Sequence, residues 1–290
     1  MVTVTRPPVV RQTRFLAITG GAMFSAQLVG LMLAPLLVEL SEEFNVSVAT
    51  AGQLAAVTFA AWAVSVISVG PISDSFGRRP VAVAGLTLLS ASVIASSFAP
   101  NFEVLLGLRI LTGLSGGMIP PNSMAAVADV LTPAKRARAF GILMALASLS
   151  SVLGLPLVAV ITSASGWRVP FLVIGCLLFV CAVLHWFWYP KIERSGPWTF
   201  LFLSRYKQMA SINLFQAALA ANVLQRMAFY ATISYLAAYL INAHGFSVGD
   251  TAIPLAIVGI GVVAGSTMAG SVAAMKRRAQ LVAGCAAVGG

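Results

Sequence analysis

The sequence predicts an all-α polytopic membrane protein, on three observations. Hydrophobic residues make up 59% of the 290 positions and charged ones only 9%, against about 25% charged in an average soluble chain. Mean hydropathy is +0.94. The apolar residues come in runs of roughly twenty, long enough as helices to cross a hydrocarbon core about 30 Å thick. Such runs are too long and too uniformly apolar for barrel strands, so helices must satisfy the backbone inside the lipid.

Spans are predicted at about 15–38, 51–72, 81–99, 103–127, 138–163 and 169–189, then at about 211–242 and 252–272, with another run starting near 280. Arg6, Arg11 and Arg14 precede the first run as in a signal peptide. That run is too long and lacks a small-residue cleavage site, so the first helix is retained.

Between the second and third runs lies a short charged bend, Gly70 to Arg79. Asp74 falls at the C-terminal end of an apolar helix, where the macrodipole disfavours a carboxylate, and it needs a cationic partner or another helix N-terminus. Gly77 can supply the positive φ of a tight reversal, Arg78 and Arg79 fix positive charge at one membrane face, and Pro80 suits the first turn of the next helix.

Arg109 lies about 10 Å inside the fourth span by helical rise. A charge at that depth must be paired or reach outward to headgroups. Downstream, Gly113 and Gly117 form a small-residue pair that permits close helix contact. In the fifth span, Gly154 and Pro156 remove a side chain and a backbone hydrogen bond, which predicts close packing and a kink. His185, near the end of the sixth span, reads as interfacial, and Cys176, Cys181 and Cys285 read as small core residues without metal-ligand spacing.

In the seventh span, Asn222, Arg226, Tyr230 and Ser234 recur every four residues and make one polar stripe on an apolar helix. Arg226 sits roughly 18 Å from the nearer end by helical rise, too deep for easy snorkelling. An intramembrane charge of this kind faces a cavity or a partner. Asn222, Arg226 and Tyr230 are therefore substrate-cavity candidates, with Gln27 of the first span as a neighbour; a structural hydrogen-bond site between helices is the alternative.

Fifteen of the eighteen basic residues fall on one side when sorted by alternate loops, Arg168 alone falls on the other, and Arg109 and Arg226 lie inside spans. Glu39, Glu42, Glu43, Glu103 and Asp250 lie on or near the second side. The positive-inside rule puts the N-terminus in the cytoplasm. It also turns a net charge of +10 into membrane topology and away from nucleic acid. The polar segment 190–208 divides residues 1–189, six spans, from an incomplete second bundle, 209–290. An offset of 200 residues aligns Gly70 with Gly270 and Arg78 with Arg278, with Ala274 in place of the aspartate. Those pairs suggest parallel halves.

Gly70, Asp74, Gly77, Arg78 and Arg79 together resemble the loop signature of the Major Facilitator Superfamily of secondary transporters, with Ser75 departing from its usual basic residue. Arg109 to Gly113 is similar to the family's second motif. Residues 150–157 resemble, in part, the antiporter motif of family exporters, and Gly166 to Arg168 is similar to a sequence of bacterial sugar and drug efflux members. The resemblance implies transport by alternating access. Gly70, Asp74, Gly77, Arg78 and Arg79 then form a conformational latch, Arg109 assists proton coupling, and Gly154 and Pro156 form a packed hinge. It further implies export of a sugar or drug-like molecule across the bacterial inner membrane by proton antiport. Uptake symport on the same fold is one alternative. Because the family has twelve helices and the sequence stops after the eighth, a truncated membrane protein that does not transport is the other.

The partners expected are a small-molecule substrate, protons and membrane lipid. No Ser/His/Asp grouping, phosphate-cradling glycine loop or Cys/His cluster is present, so neither an enzyme nor a cofactor or metal is expected. No Asp or Glu sits mid-span, which leaves Glu39, Asp74 and Asp129 at the edges as groups a proton-coupled carrier could titrate.

Overall fold

A computed structural model describes residues 9–190 and 207–261, and every regular element there is helical. Six helices are long and apolar enough to cross a membrane: α1 (Gln12–Glu43), α2 (Val48–Phe76), α3 (Arg78–Ser96), α4 (Phe102–Val130), α5 (Arg138–Ser165) and α6 (Arg168–Trp188). Two follow, α7 (Asn213–His244) and a shorter apolar α8 (Gly249–Gly261). They reproduce the order of the predicted spans. The chain is a multi-pass integral membrane protein, and among the described residues its connections alternate between a basic face (Arg78, Arg79, Lys135, Arg136) and an acidic face (Glu39, Glu42, Glu43, Glu103, Asp250). Most of the 190–208 connector, the run near 280, Cys285 and the repeat positions Gly270 and Arg278 lie outside the described residues.

Local chemistry sets the helix ends. Ser47 accepts the Thr50 N–H at 3.0 Å and starts α2, and Asn101 accepts the Val104 N–H at 2.9 Å and starts α4. Four spans are broken inside. In α2, Gly52 separates Val48–Ala51 from Gln53–Phe76. In α1 a 3-10 turn at Ala34–Leu36 separates two α-helical pieces, where Pro35 cannot donate to the ladder. In α4, Gly117 and Met118 separate Phe102–Gly116 from Ile119–Val130, ahead of Pro120 and Pro121. In α5, Ser150–Gly154 is a π-helical turn whose closing bond runs from the Leu155 N–H back to the Ser150 carbonyl. Pro156 follows with no N–H, so the kink expected at Gly154 and Pro156 takes the form of a widened turn.

The charged stretch departs from the expected bend. From Gln53, helix α2 continues through Pro71 to Phe76, and Gly77, at φ 97°, ends it before α3 begins at Arg78. With its N–H bonded to the Ser73 carbonyl at 3.0 Å, Gly77 reverses the chain in a single residue, a conformation that β-carbon sterics deny to most others.

Packing joins α3 to α6, α2 to α4, and α1 to both α5 and α6. The main core draws Val29, Leu33 and Leu36 from α1, Leu86 and Leu89 from α3, and Phe171 and Leu178 from α6. Along the α2–α4 seam the glycine pair acts as expected. A β-carbon at Gly113 would overlap the Thr58 carbonyl, and one at Gly117 would lie 2.6 Å from the Trp62 carbonyl. The acidic-face half of α7 lies against the broken end of α1, and α8 begins beside α5. Val64, Ile67, Leu157, Phe179 and Phe187 remain exposed around the bundle, as a lipid-facing surface requires.

Candidate functional site

At the basic face the end of α2 meets the end of α4 through Arg78. Its guanidinium lies 2.5 Å from Asp74 and 3.1 Å from Asp129, and it also bonds the Ser73 hydroxyl. The nearer Asp74 oxygen makes no directed hydrogen bond, so that contact is an ion pair. The Arg78 backbone carbonyl accepts the Asn122 side-chain amide at 2.9 Å, which ties the start of α3 to α4. Arg79 reaches the Trp186 carbonyl and lies over the Trp186 ring, joining α3 to α6. Asp74 thus has the cationic partner its helix position demands. Gly70 is the exception in this group: nothing lies within 4 Å of a β-carbon built on it, so no close approach requires a glycine there. Asp129 and Asn122 were missed as partners, because a separation of 51 and 44 residues from Arg78 leaves no local pattern.

Arg109 is fully buried among α3, α4 and α6. Its Nη2 donates to the Ser96 hydroxyl at 2.8 Å, and its guanidinium lies 4.9 Å from the Phe171 ring centroid. Outward reach to headgroups is thereby ruled out. A hydroxyl and an aromatic face replace bulk solvent, yet Nε and Nη1 have no partner. No carboxylate pairs with Arg109 among the described residues. Gly154 packs as expected, with the Leu28 side chain of α1 2.5 Å from where its β-carbon would be.

His185 is a correction. It is buried, with Nδ1 2.7 Å from the Cys181 carbonyl and its ring beside Tyr189. The carbonyl four residues back and the tyrosine face serve the ring inside the bundle, so it has no need of the interface. Cys176 is likewise exposed where a core position was expected, while Cys181 is buried; the α6 face carrying Cys176 points out of the bundle.

At the acidic face Glu39 accepts the Trp167 N–H at 2.9 Å. Its carboxylate therefore sits at the positive end of α6, and α1 is tied to the start of that helix. Glu43 pairs with Arg168 at 2.8 Å, and Arg168 lies over the Trp167 ring. A cleft of about 480 Å³ opens beside Glu39 and Glu42, between the ends of α1, α5 and α7.

A cavity of about 700 Å³ lies between α2 and α7. From α7 it is lined by Asn222, Arg226, Tyr230 and Ser234, so the stripe read from the sequence faces one space. From α2 come Phe59, Trp62 and four alanines. Gln27 of α1 donates to the Tyr230 hydroxyl at 3.3 Å. It therefore meets the stripe at Tyr230, one turn from Arg226. The Tyr230 ring tilts against Phe59 with centroids 4.4 Å apart. Towards the acidic face, the Tyr235 hydroxyl occupies the space a side chain at Gly52 would take. Beyond it Leu37, Val38, Ala51 and Ala238 form a small apolar plug. Phe59, Trp62 and Tyr235 were missed, because aromatic residues in an apolar run carry no positional signal. Among the described residues no group of acidic, histidine and cysteine side chains could hold a metal.

Comparison with known proteins places these features. The family model of the Major Facilitator Superfamily matches residues 19–290. The uncharacterized MFS-type transporter YceJ of Bacillus subtilis is 27% identical over 241 residues, 81% of this chain and 60% of the relative. A probable sugar efflux transporter of Mannheimia succiniciproducens is 30% identical over 235 residues, 79% of this chain and 57% of the relative. The chain thus spans about three fifths of these relatives' length. Among solved structures, a bacterial homolog of the human lysosomal transporter Spinster, in an inward-facing and unoccupied conformation, matches with a TM-score of 0.73 at 19% identity. That match covers 91% of this chain and 64% of the other.

Proposed function

The chain belongs to the Major Facilitator Superfamily, and from that premise we propose that it exports a small molecule across a bacterial inner membrane in exchange for protons. The observation that carries this reading is the α2–α7 cavity, closed towards the acidic face by Tyr235 on Gly52 and lined by the Asn222 to Ser234 stripe. A site of this volume is within the usual range for small ligands.

In this reading the basic face is cytoplasmic, and residues 1–189 and 209–290 belong to two bundles joined by the 190–208 linker. The cavity faces the cytoplasm when Tyr235 and the apolar plug are closed. Asp74, Arg78 and Asp129 tie α2 to α4 at the cytoplasmic face and favour one of the two alternating states, with Gly77 and Arg79 fixing the reversal. Gly70 keeps its place in this latch only through its position, one turn before Asp74. Gly154 and Pro156 form the hinge of α5. Arg109 is the proton-coupling residue in this reading: two guanidinium N–H groups without a partner inside the bundle are drawn to a carboxylate or other acceptor whose charge changes with its proton.

Export is favoured over uptake by the relatives named as probable sugar efflux transporters and by the antiporter-like stretch in α5. One proton crossing about 100 mV releases about 2.3 kcal/mol, enough for a roughly fifty-fold substrate gradient. The test is proton movement in inverted vesicles. Adding substrate to energised vesicles should release protons from the lumen. A substrate flux that runs unchanged without a proton gradient would sink the coupling, and uptake driven by the opposite gradient would replace export with symport.

A further inference from the structure

We propose that the α2–α7 cavity takes an organic anion with a flat apolar body, its carboxylate held by Arg226 and Tyr230. The inference rests on the transporter reading for its physiological meaning, and on the chemistry of the lining for its content.

The residues lining the cavity include no carboxylate among those described. The polar groups on its α7 wall are biased towards donation. Arg226 carries five N–H donors and no acceptor, and Asn222 offers two more. The Tyr230 hydroxyl already accepts from Gln27 at 3.3 Å, so its own proton is left to be donated elsewhere. Arg226 and Tyr230 are one helical turn apart, about 6 Å along the axis. They can converge on one carboxylate from two sides.

Arg226 makes no ion pair among the described residues. A guanidinium at this depth gains most from a ligand of opposite charge. An ammonium ligand would meet repulsion. A sugar, each of whose hydroxyls donates as well as accepts, would find few acceptors beside it. The remaining wall is flat and apolar: Phe59, Trp62, Val223 and Met227, with alanines between them. Aromatic rings favour a planar partner in offset or edge contact, and the Phe59–Tyr230 pair already presents two faces at a tilt of 38°.

The probes are 1-naphthoate, its neutral isostere 1-naphthamide and the cation 1-naphthylmethylammonium, titrated by equilibrium dialysis into the purified 290-residue chain. Naphthoate should bind at least about ten-fold more tightly than the amide, a difference of about 1.4 kcal/mol, and the ammonium most weakly. Arg226→Gln should erase that preference while amide binding persists, which shows that the site still folds. Arg226→Lys should retain part of it, and Tyr230→Phe should lower naphthoate affinity alone. Equal binding of the three probes, or an undiminished preference in Arg226→Gln, would overturn the proposal. So would complete displacement of naphthoate by phosphatidylglycerol, which would make the occupant a lipid. Counterflow in proteoliposomes separates this inference from the transporter reading. Naphthoate that binds but is not exchanged removes transport and keeps the anion class. Exchange of a neutral sugar without naphthoate binding does the reverse.

Discussion

Replacing Asp74 by Asn changes one charge at the basic face and almost no volume. Arg78 holds two carboxylates, Asp74 at 2.5 Å and Asp129 at 3.1 Å, with its own side chain only 12% exposed. Unit charges about 4 Å apart attract by about 4 kcal/mol at an effective dielectric of 20. The carboxylates, however, are 49% and 36% exposed, and water reduces such pairs to about 1 kcal/mol. If the pair exists in only one of the two alternating states, its loss shifts their equilibrium by about five-fold. Asp74→Asn should therefore slow transport about five-fold with normal membrane insertion, because Asp129 still holds Arg78. Asp129→Asn should act similarly. The double variant strands a nearly buried guanidinium without a carboxylate, and its loss should exceed the product of the single effects. Initial rates in inverted vesicles, normalised to inserted protein, measure all three. A parental rate for Asp74→Asn, or a double variant no worse than that product, would refute the shared latch.

The glycines of two seams should respond differently to one added methyl. At Gly113 it meets the Thr58 backbone carbonyl, whereas at Gly154 it meets only the end of the Leu28 side chain. Gly113→Ala should then cost about 1–3 kcal/mol through overpacking and Gly154→Ala less than about 1, read as thermal unfolding in detergent; equal losses would show that α2 and α4 can part cheaply. Arg109→Met replaces a buried charge by an apolar side chain of similar length, a change often neutral or stabilising. Thermal stability should hold while proton-linked transport falls and substrate counterflow continues, and retained proton coupling would remove Arg109 from that role.

The spans were legible because lipid imposes a single requirement, apolar length, that a one-dimensional sequence displays directly. The α7 stripe was legible for a related reason: four polar side chains at a spacing of four share a helix face wherever the helix lies. What that face meets was not. Phe59 and Trp62 complete the cavity from α2, yet in an apolar run they look the same as side chains facing lipid. Long-range partners were equally hidden, as Asp129 shows in reaching Arg78 across 51 residues. Arg109 announced its depth but not its direction, since a guanidinium can run outward along its stem or, as here, inward to Ser96 and Phe171. The π-helical turn at Ser150–Gly154 was foreshadowed only as a kink, because glycine and proline mark where a ladder breaks and not how many residues the repair takes in.

The glycine seam between α2 and α4 has a mechanical consequence. Backbone meets side chain and backbone there at Thr58 and Trp62, with no flexible side chain between to absorb sliding. Two rods in contact along such a line turn together or not at all. The wall that carries Phe59 and Trp62 and the Phe102–Gly116 piece of α4 are then parts of one lever, and a small tilt of that piece is delivered, undamped, to the ring faces of the cavity.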